Sequence, residues 1–225
     1  MKYFSRLPHN LPVNCFMSEE KVALFGGTFD PIHIGHTTVA RAAADHIGAD
    51  KVVFVPAQRS PLKESPPQAS GQDRLKMVAL AIRGIDKFEV SDYELKKSQP
   101  SYTLETVRHF RRQCGGSASI YLLVGADTVD ELPYWYRVID LIDECNLSVM
   151  YRAGCDVPDF ARFERHWGKQ RVARLQRNIV PTPLIDISST EIRKRLAAGR
   201  DVSAMLQPDV AEYIRQHRLY QPKNR

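Results

Sequence analysis

Several things this chain of 225 residues lacks narrow its function before any motif is considered. Its four cysteines, Cys15, Cys114, Cys145 and Cys155, form no C-x-x-C pair, and none stands beside a histidine at metal-ligand spacing. That excludes the common zinc sites and dithiol redox motifs and leaves reduced thiols. No apolar run approaches the ~20 residues of a membrane-spanning helix, and the N-terminus has no apolar signal core. A cytoplasmic protein without a membrane partner is expected. A Lys/Arg-rich tract is missing too: the basic residues are scattered, with local groups at Arg108, Arg111 and Arg112 and from Arg162 to Arg177. The formal charge of +6 and pI near 9.2 therefore suit free anionic ligands, and no nucleic acid is expected as a partner. There is no internal repeat, no low-complexity segment and no convincing carboxylate cluster for a metal. What remains, 43% hydrophobic and 26% charged residues, is enough to bury the core of one large α/β domain.

One stretch stands out. The apolar run Val22 to Phe25 breaks at Gly26-Gly27, continues as Thr28-Phe29-Asp30-Pro31-Ile32-His33-Ile34-Gly35-His36, and passes into a helical pattern that Gly48 can cap. This reads as strand, glycine turn and helix start. The two glycines permit positive φ and close approach of a ligand, and Pro31 stiffens the loop. His33 and His36 lie three apart on one face of the helix start, where free N–H groups and the positive dipole end favour an anion such as a polyphosphate.

The rest of the chain supplies the frame. Lys51 to Val55 reads as a second, parallel strand, which makes a right-handed β-α-β unit with ligands at the carboxyl ends of its strands. Pro56 to Gly71 is a proline-rich loop carrying Lys63, and Asp73 is expected to cap the next helix. Phe88 to Val90 is a short strand, after which Ser101 or Thr103 caps a further helix. Ser119 to Val124 is the clearest central strand. It ends at Gly125-Ala126-Asp127, where Asp127 can bind a ribose or cap the next helix. Trp135 can stack on a flat ring or fill the core. Asn146 to Met150 is a fifth strand, residues 155–177 carry no assigned chemistry, and Asn178 to Ile187 is an extended or edge segment. Ser188 and Glu191 form a capping-box pattern opening a helix through Arg193 and Arg195. The fold expected is α/β: a Rossmann-like, doubly wound, mostly parallel sheet of about five to six strands with a small C-terminal helical subdomain. Its parts are a mobile N-terminal extension (1–20), a core (21–186) and a helical C-terminal part (187–225).

Gly-Gly-Thr-Phe-Asp-Pro-Ile-His-Ile-Gly-His resembles the nucleotidyltransferase superfamily marked by His-x-Gly-His, in the form found in the nicotinate-mononucleotide adenylyltransferase family. The resemblance runs from about Lys21 to Tyr220. It includes Ser101-Tyr102-Thr103, Gly125-x-Asp127, Arg152-x-Gly154 and Ile187-Ser188-Ser189-Thr190-x-Ile192-Arg193. Pro61-Leu62-Lys63 departs from the family's Pro-His-Lys at Leu62.

The resemblance implies adenylyl transfer from ATP to nicotinate mononucleotide, with His33, His36 and Arg193 as catalytic residues. It places ATP on Gly26, Gly27, Thr28, Phe29, Gly35, Gly125, Asp127, Ile187, Ser188, Ser189 and Thr190. The acceptor would lie on Lys63, Thr103, Trp135, Tyr136 and Arg152, with Mg²⁺ carried mainly by the ATP phosphates. Alternatives are another acceptor (nicotinamide mononucleotide, phosphopantetheine or flavin mononucleotide) or a non-catalytic nucleotide-binding module. A class I aminoacyl-tRNA synthetase is not expected, because the sequence has no Lys-Met-Ser-Lys-Ser loop and no room for a tRNA-binding domain. A homo-oligomer stays open.

Overall fold

The computed structural model describes residues 19–58, 65–98, 102–152 and 156–221. In chain order these form β1 (Lys21–Gly27), α1 (Ile34–Ile47), β2 (Lys51–Pro56), α2 (Gly71–Ala81), β3 (Phe88–Val90), α3 (Thr103–Gln113) and β4 (Ser119–Gly125). Then come α4 (Val138–Glu144), β5 (Asn146–Arg152), α5 (Glu164–Trp167), α6 (Lys169–Arg177), β6 (Ile179–Thr182), α7 (Ser189–Ala197) and α8 (Pro208–Gln216). Residues 1–18, most of the expected N-terminal extension, lie outside the described residues.

Six strands form one sheet in the order β3-β2-β1-β4-β5-β6, every neighbouring pair parallel. The expected α/β sheet is present, with β6 on an edge, where Pro181 costs no ladder bond to a further strand. Strand residues alternate between two cores: Ala23 and Phe25 of β1 belong to one, Val22 and Leu24 to the other. The first core lies under α1 and α2 and also takes Ile192 of α7, Val210 and Ile214 of α8, and Tyr220. The second lies under α3 and α4 and includes Phe163, Trp167 and Leu175 from the basic stretch 155–177, so these three residues serve packing.

Two local expectations are corrected. Ser70, not Asp73, is the N-cap of α2: its hydroxyl accepts the Asp73 N–H at 3.1 Å and donates to the Asp73 carboxylate at 2.6 Å. Asp73 sits at the third helical position, where its charge suits the dipole. At α3 the N-cap is Tyr102, which makes no side-chain cap bond, and Thr103 is already the first helical residue. Ser101 lies outside the described residues. Gly48, by contrast, closes α1 in the left-handed region at φ 68°, as expected.

The sheet order reverses direction at β1, whose neighbours are β2 and β4. A crevice opens at the carboxyl ends of such strands, because the connections leave on opposite faces. Both β1 and β4 end there in glycine, at Gly27 and Gly125.

Candidate active site

The turn from β1 to α1 is built from the inside out. Gly26 and Gly27 do not take positive φ as expected; Phe29 does, at φ 49°. The glycines are needed for space instead. A Cβ on Gly27 would lie 2.9 Å from the Phe29 ring, whereas one on Gly26 would meet nothing within 4 Å and project into open space. Phe29 thus folds back over the end of β1, packing edge-on to Phe25 with ring centres 5.6 Å apart and against Phe54 at 5.8 Å. Its burial pins the turn that follows.

That turn carries the histidines. His33 is the N-cap residue of α1, and its backbone N–H donates to Nδ1 of His36 at 3.2 Å. An imidazole nitrogen that accepts carries no proton, so the His36 proton sits on Nε2. The two rings lie with centres 3.7 Å apart. His33 is buried, and burial lowers its pKa to about 4, which makes it a neutral imidazole at neutral pH. Its Nδ1 is buried without a hydrogen-bond partner. Gly35 lets this ring lie close to the helix, since a Cβ there would be 2.9 Å from His33 Nδ1.

The N-terminal turn of α7 is fastened to the same loop. Ser188 caps the helix by accepting the Glu191 N–H at 3.2 Å, Ser189 Oγ donates to the Pro31 carbonyl at 2.8 Å, and Arg193 donates to the Asp30 carbonyl at 2.7 Å and to Thr190 Oγ1 at 3.2 Å. Ile187 packs against the core just before it. Residues some 160 positions apart in the chain are thereby brought to one place. The hydroxyl and guanidinium groups expected to hold phosphates do converge on the histidine turn.

Beside this turn a cavity of about 450 Å³ opens between β1 and β4, a size suited to a small-molecule ligand. Its lining includes Gly26, Gly27, Thr28, Thr103, Gly125, Trp135 and Tyr136, all singled out in the sequence. Trp135 Nε1 is buried without a hydrogen-bond partner, and the Tyr136 ring lies 4.4 Å from that of Tyr102, which also lines the cavity. Asp127 is exposed in the single 3-10 turn after β4 and does not line the cavity, although a Cβ on Gly125 would collide with its carboxylate. Arg152 ends β5, and Lys63 lies outside the described residues.

Two residues missed in the sequence hold the turn from behind. Arg74 of α2, only 1% exposed, donates to the carbonyls of Thr28 at 2.7 Å and Ala57 at 2.8 Å. Asp30 is also buried and accepts from the backbone N–H groups of Gln68 and Ala69 at 2.8 and 3.1 Å. Asp30 stood inside the glycine-histidine motif without a role of its own, and the signal for Arg74 was its position on the same helical face as Met77, Val78 and Ala81.

A parallel sheet with a strand–glycine turn–helix unit at its switch point, imidazoles at the helix start and a cavity alongside define a nucleotide-binding α/β protein. The chain belongs to the cytidylyltransferase-like family, whose profile matches residues 24–195. Within that family it groups with the nicotinate-nucleotide adenylyltransferases. A probable nicotinate-nucleotide adenylyltransferase of Neisseria meningitidis serogroup B is 41% identical over 202 residues, covering 90% of this chain and 99% of that one. Another, from Clostridium tetani, is 36% identical over 203 residues, covering 89% and 99%. The structure of Plasmodium falciparum nicotinic acid mononucleotide adenylyltransferase complexed with NaAD shares the fold, with a TM-score of 0.70 at 18% identity over 90% of this chain and 98% of that one. No helix among the described residues is long and apolar enough to cross a membrane.

Proposed function

We propose that this chain transfers the adenylyl group of ATP to nicotinate mononucleotide, giving nicotinate adenine dinucleotide and pyrophosphate, a step of NAD biosynthesis. The observation that carries this reading is the convergence of His33, His36, Ser189 and Arg193 on one turn beside the cavity between β1 and β4. The acceptor's 5′-phosphate attacks the α-phosphorus of ATP in line, and pyrophosphate leaves. Such a reaction asks for positioning and charge stabilisation and needs no protein nucleophile.

His36 supports the transfer through Nε2–H, since its Nδ1 is engaged by the His33 backbone. A donor already in place where charge develops needs no reorganisation at the moment of reaction. His33, neutral, has one N–H to give. Gly26, Gly27, Thr28, Phe29 and Gly35 shape the ATP side. Ile187, Ser188, Ser189, Thr190 and Arg193 hold the leaving pyrophosphate, and Gly125 and Asp127 border the ribose. On the acceptor side, Trp135 and Tyr136 take the pyridine ring and Thr103, at the start of α3, its carboxylate. Lys63 and Arg152 serve the acceptor phosphate. Mg²⁺ would be carried mainly by the ATP phosphates. When bound, it neutralises phosphate charge.

Pyrophosphate release is followed with ATP, Mg²⁺ and each of nicotinate mononucleotide, nicotinamide mononucleotide, phosphopantetheine and flavin mononucleotide. Release is expected to be fastest with nicotinate mononucleotide. Faster release with another acceptor refutes the substrate, and silence with all four refutes the enzyme.

A further inference from the structure

Asp30 stands three residues before His33 and gathers three separate parts of the chain onto one buried residue. Its carboxylate accepts the Gln68 N–H at Oδ2 (2.8 Å), the Ala69 N–H at Oδ1 (3.1 Å) and the Tyr220 hydroxyl at Oδ1 (2.7 Å). Its backbone carbonyl takes Nη1 of Arg193 at 2.7 Å, and that same nitrogen lies 4.0 Å from Oδ2, at the outer limit of an ion pair. The carboxylate is therefore divided between donors behind the turn and a guanidinium in front of it.

A buried carboxylate must have its lone pairs satisfied, because an unpartnered one costs its full desolvation penalty. With Tyr220 in place, Oδ1 is fully engaged and the carboxylate faces the back of the turn. Without that hydroxyl the carboxylate is left to two guanidinium neighbours, Arg74 behind the turn and, in front of it, Arg193, whose Nη1 already bonds the Asp30 carbonyl. Rotating the carboxylate toward Arg193 would close the 4.0 Å gap, tie up a charge needed by the pyrophosphate, and twist the backbone leading to His33.

Resting on the functional reading above, we propose that Tyr220 is a positioning residue for adenylyl transfer: its hydroxyl holds Asp30 back from Arg193 and fixes the histidine turn, 190 residues away in the sequence. The Tyr220 ring is buried in the core and touches no substrate-facing surface of the cavity. It acts only through Asp30.

Tyr220→Phe keeps the ring and removes the donor, while 4-aminophenylalanine at the same position restores a para donor. Rates are taken per folded molecule, well below the thermal midpoint of each variant. With phenylalanine, kcat is expected to fall roughly tenfold, as for losing one hydrogen bond to a charged group, while KM for the acceptor stays within about twofold. The amino variant should recover most of the loss. In the substrate-free protein, the imidazole NMR resonances of His33 and His36 should move with phenylalanine and return with the amine. Asp30→Asn, which leaves the Tyr220 packing untouched, is the second variant and should show the same split between kcat and KM. Turnover of Tyr220→Phe within about twofold of the unmodified chain, a loss the amine does not restore, or unmoved resonances would each overturn the proposal. If the unmodified chain turns over no acceptor, the functional reading fails, and the resonances still decide whether Tyr220 positions the turn.

Discussion

Acidification should destabilise this protein through the buried imidazole of His33. His33 is 6% exposed, and burial lowers its pKa from 6.5 to about 4. In the unfolded chain the same group titrates near the ordinary value. Between the two values the unfolded state binds the extra proton, so stability rises with pH across that window, is complete above about pH 6.5, and is lost as pH falls toward 4. A gap of this size, at 1.36 kcal/mol per unit, is worth about 3 kcal/mol in full and roughly 2.5 kcal/mol by pH 4.5. Against a typical total of about 5–15 kcal/mol this is large. Urea unfolding at pH 7.5, 6.5, 5.5 and 4.5, on the natural chain and on His33→Gln, isolates the effect, because carboxylates titrating in the same range are common to both. The natural chain should lose roughly 2.5 kcal/mol more than the variant over that range. Parallel stability curves would show that His33 is not held neutral by burial. The same reasoning removes His33 as the source of any fall in turnover near pH 6.5.

His36→Ala should lower turnover roughly a hundredfold or more in a folded protein, from the loss of one preorganised donor at about 2.7–4 kcal/mol, and near-normal turnover would refute its role. The two adjacent glycines should separate cleanly. Gly27→Ala drives a Cβ into the buried Phe29 ring and should cost about 1–3 kcal/mol by thermal unfolding, whereas Gly26→Ala should leave stability within about 0.5 kcal/mol and raise KM by occupying the cavity. Arg74→Met fills much of the same space but strands the carbonyls of Thr28 and Ala57, and should cost about 2–5 kcal/mol in denaturant unfolding; an unchanged midpoint would show that neither bond matters.

The frame of the molecule was legible because its central strands β1, β2 and β4 are written as largely apolar runs, and every segment read as a strand contains one. The glycine-histidine segment and the Ser188-to-Arg193 segment were legible as anion-binding chemistry, since hydroxyls, imidazoles and helix starts have few other joint uses. That they share one turn was not legible, because it depends on bonds from Ser189 to Pro31 and from Arg193 to Asp30 that only the tertiary fold creates. Caps were misread for a local reason: Asp73 and Thr103 are good capping residues, and a one-dimensional pattern cannot tell the cap from the first turn it faces. Arg74 was hidden by its charge. A charged side chain is ordinarily read as solvent-facing, whereas the helix buries Arg74 together with Met77, Val78 and Ala81.

The strand order has a consequence for how the protein is made. β1 pairs with β2 on one side and with β4 on the other, yet β4 begins about ninety residues after β1 ends, on the order of ten seconds of synthesis. During that interval a growing chain can pair only one edge of β1. The other edge presents an open row of amide and carbonyl groups flanked by Val22, Leu24 and Phe25, the kind of template on which strangers add strands. The strand that launches the nucleotide turn is therefore the segment a ribosome-bound chaperone has most reason to cover.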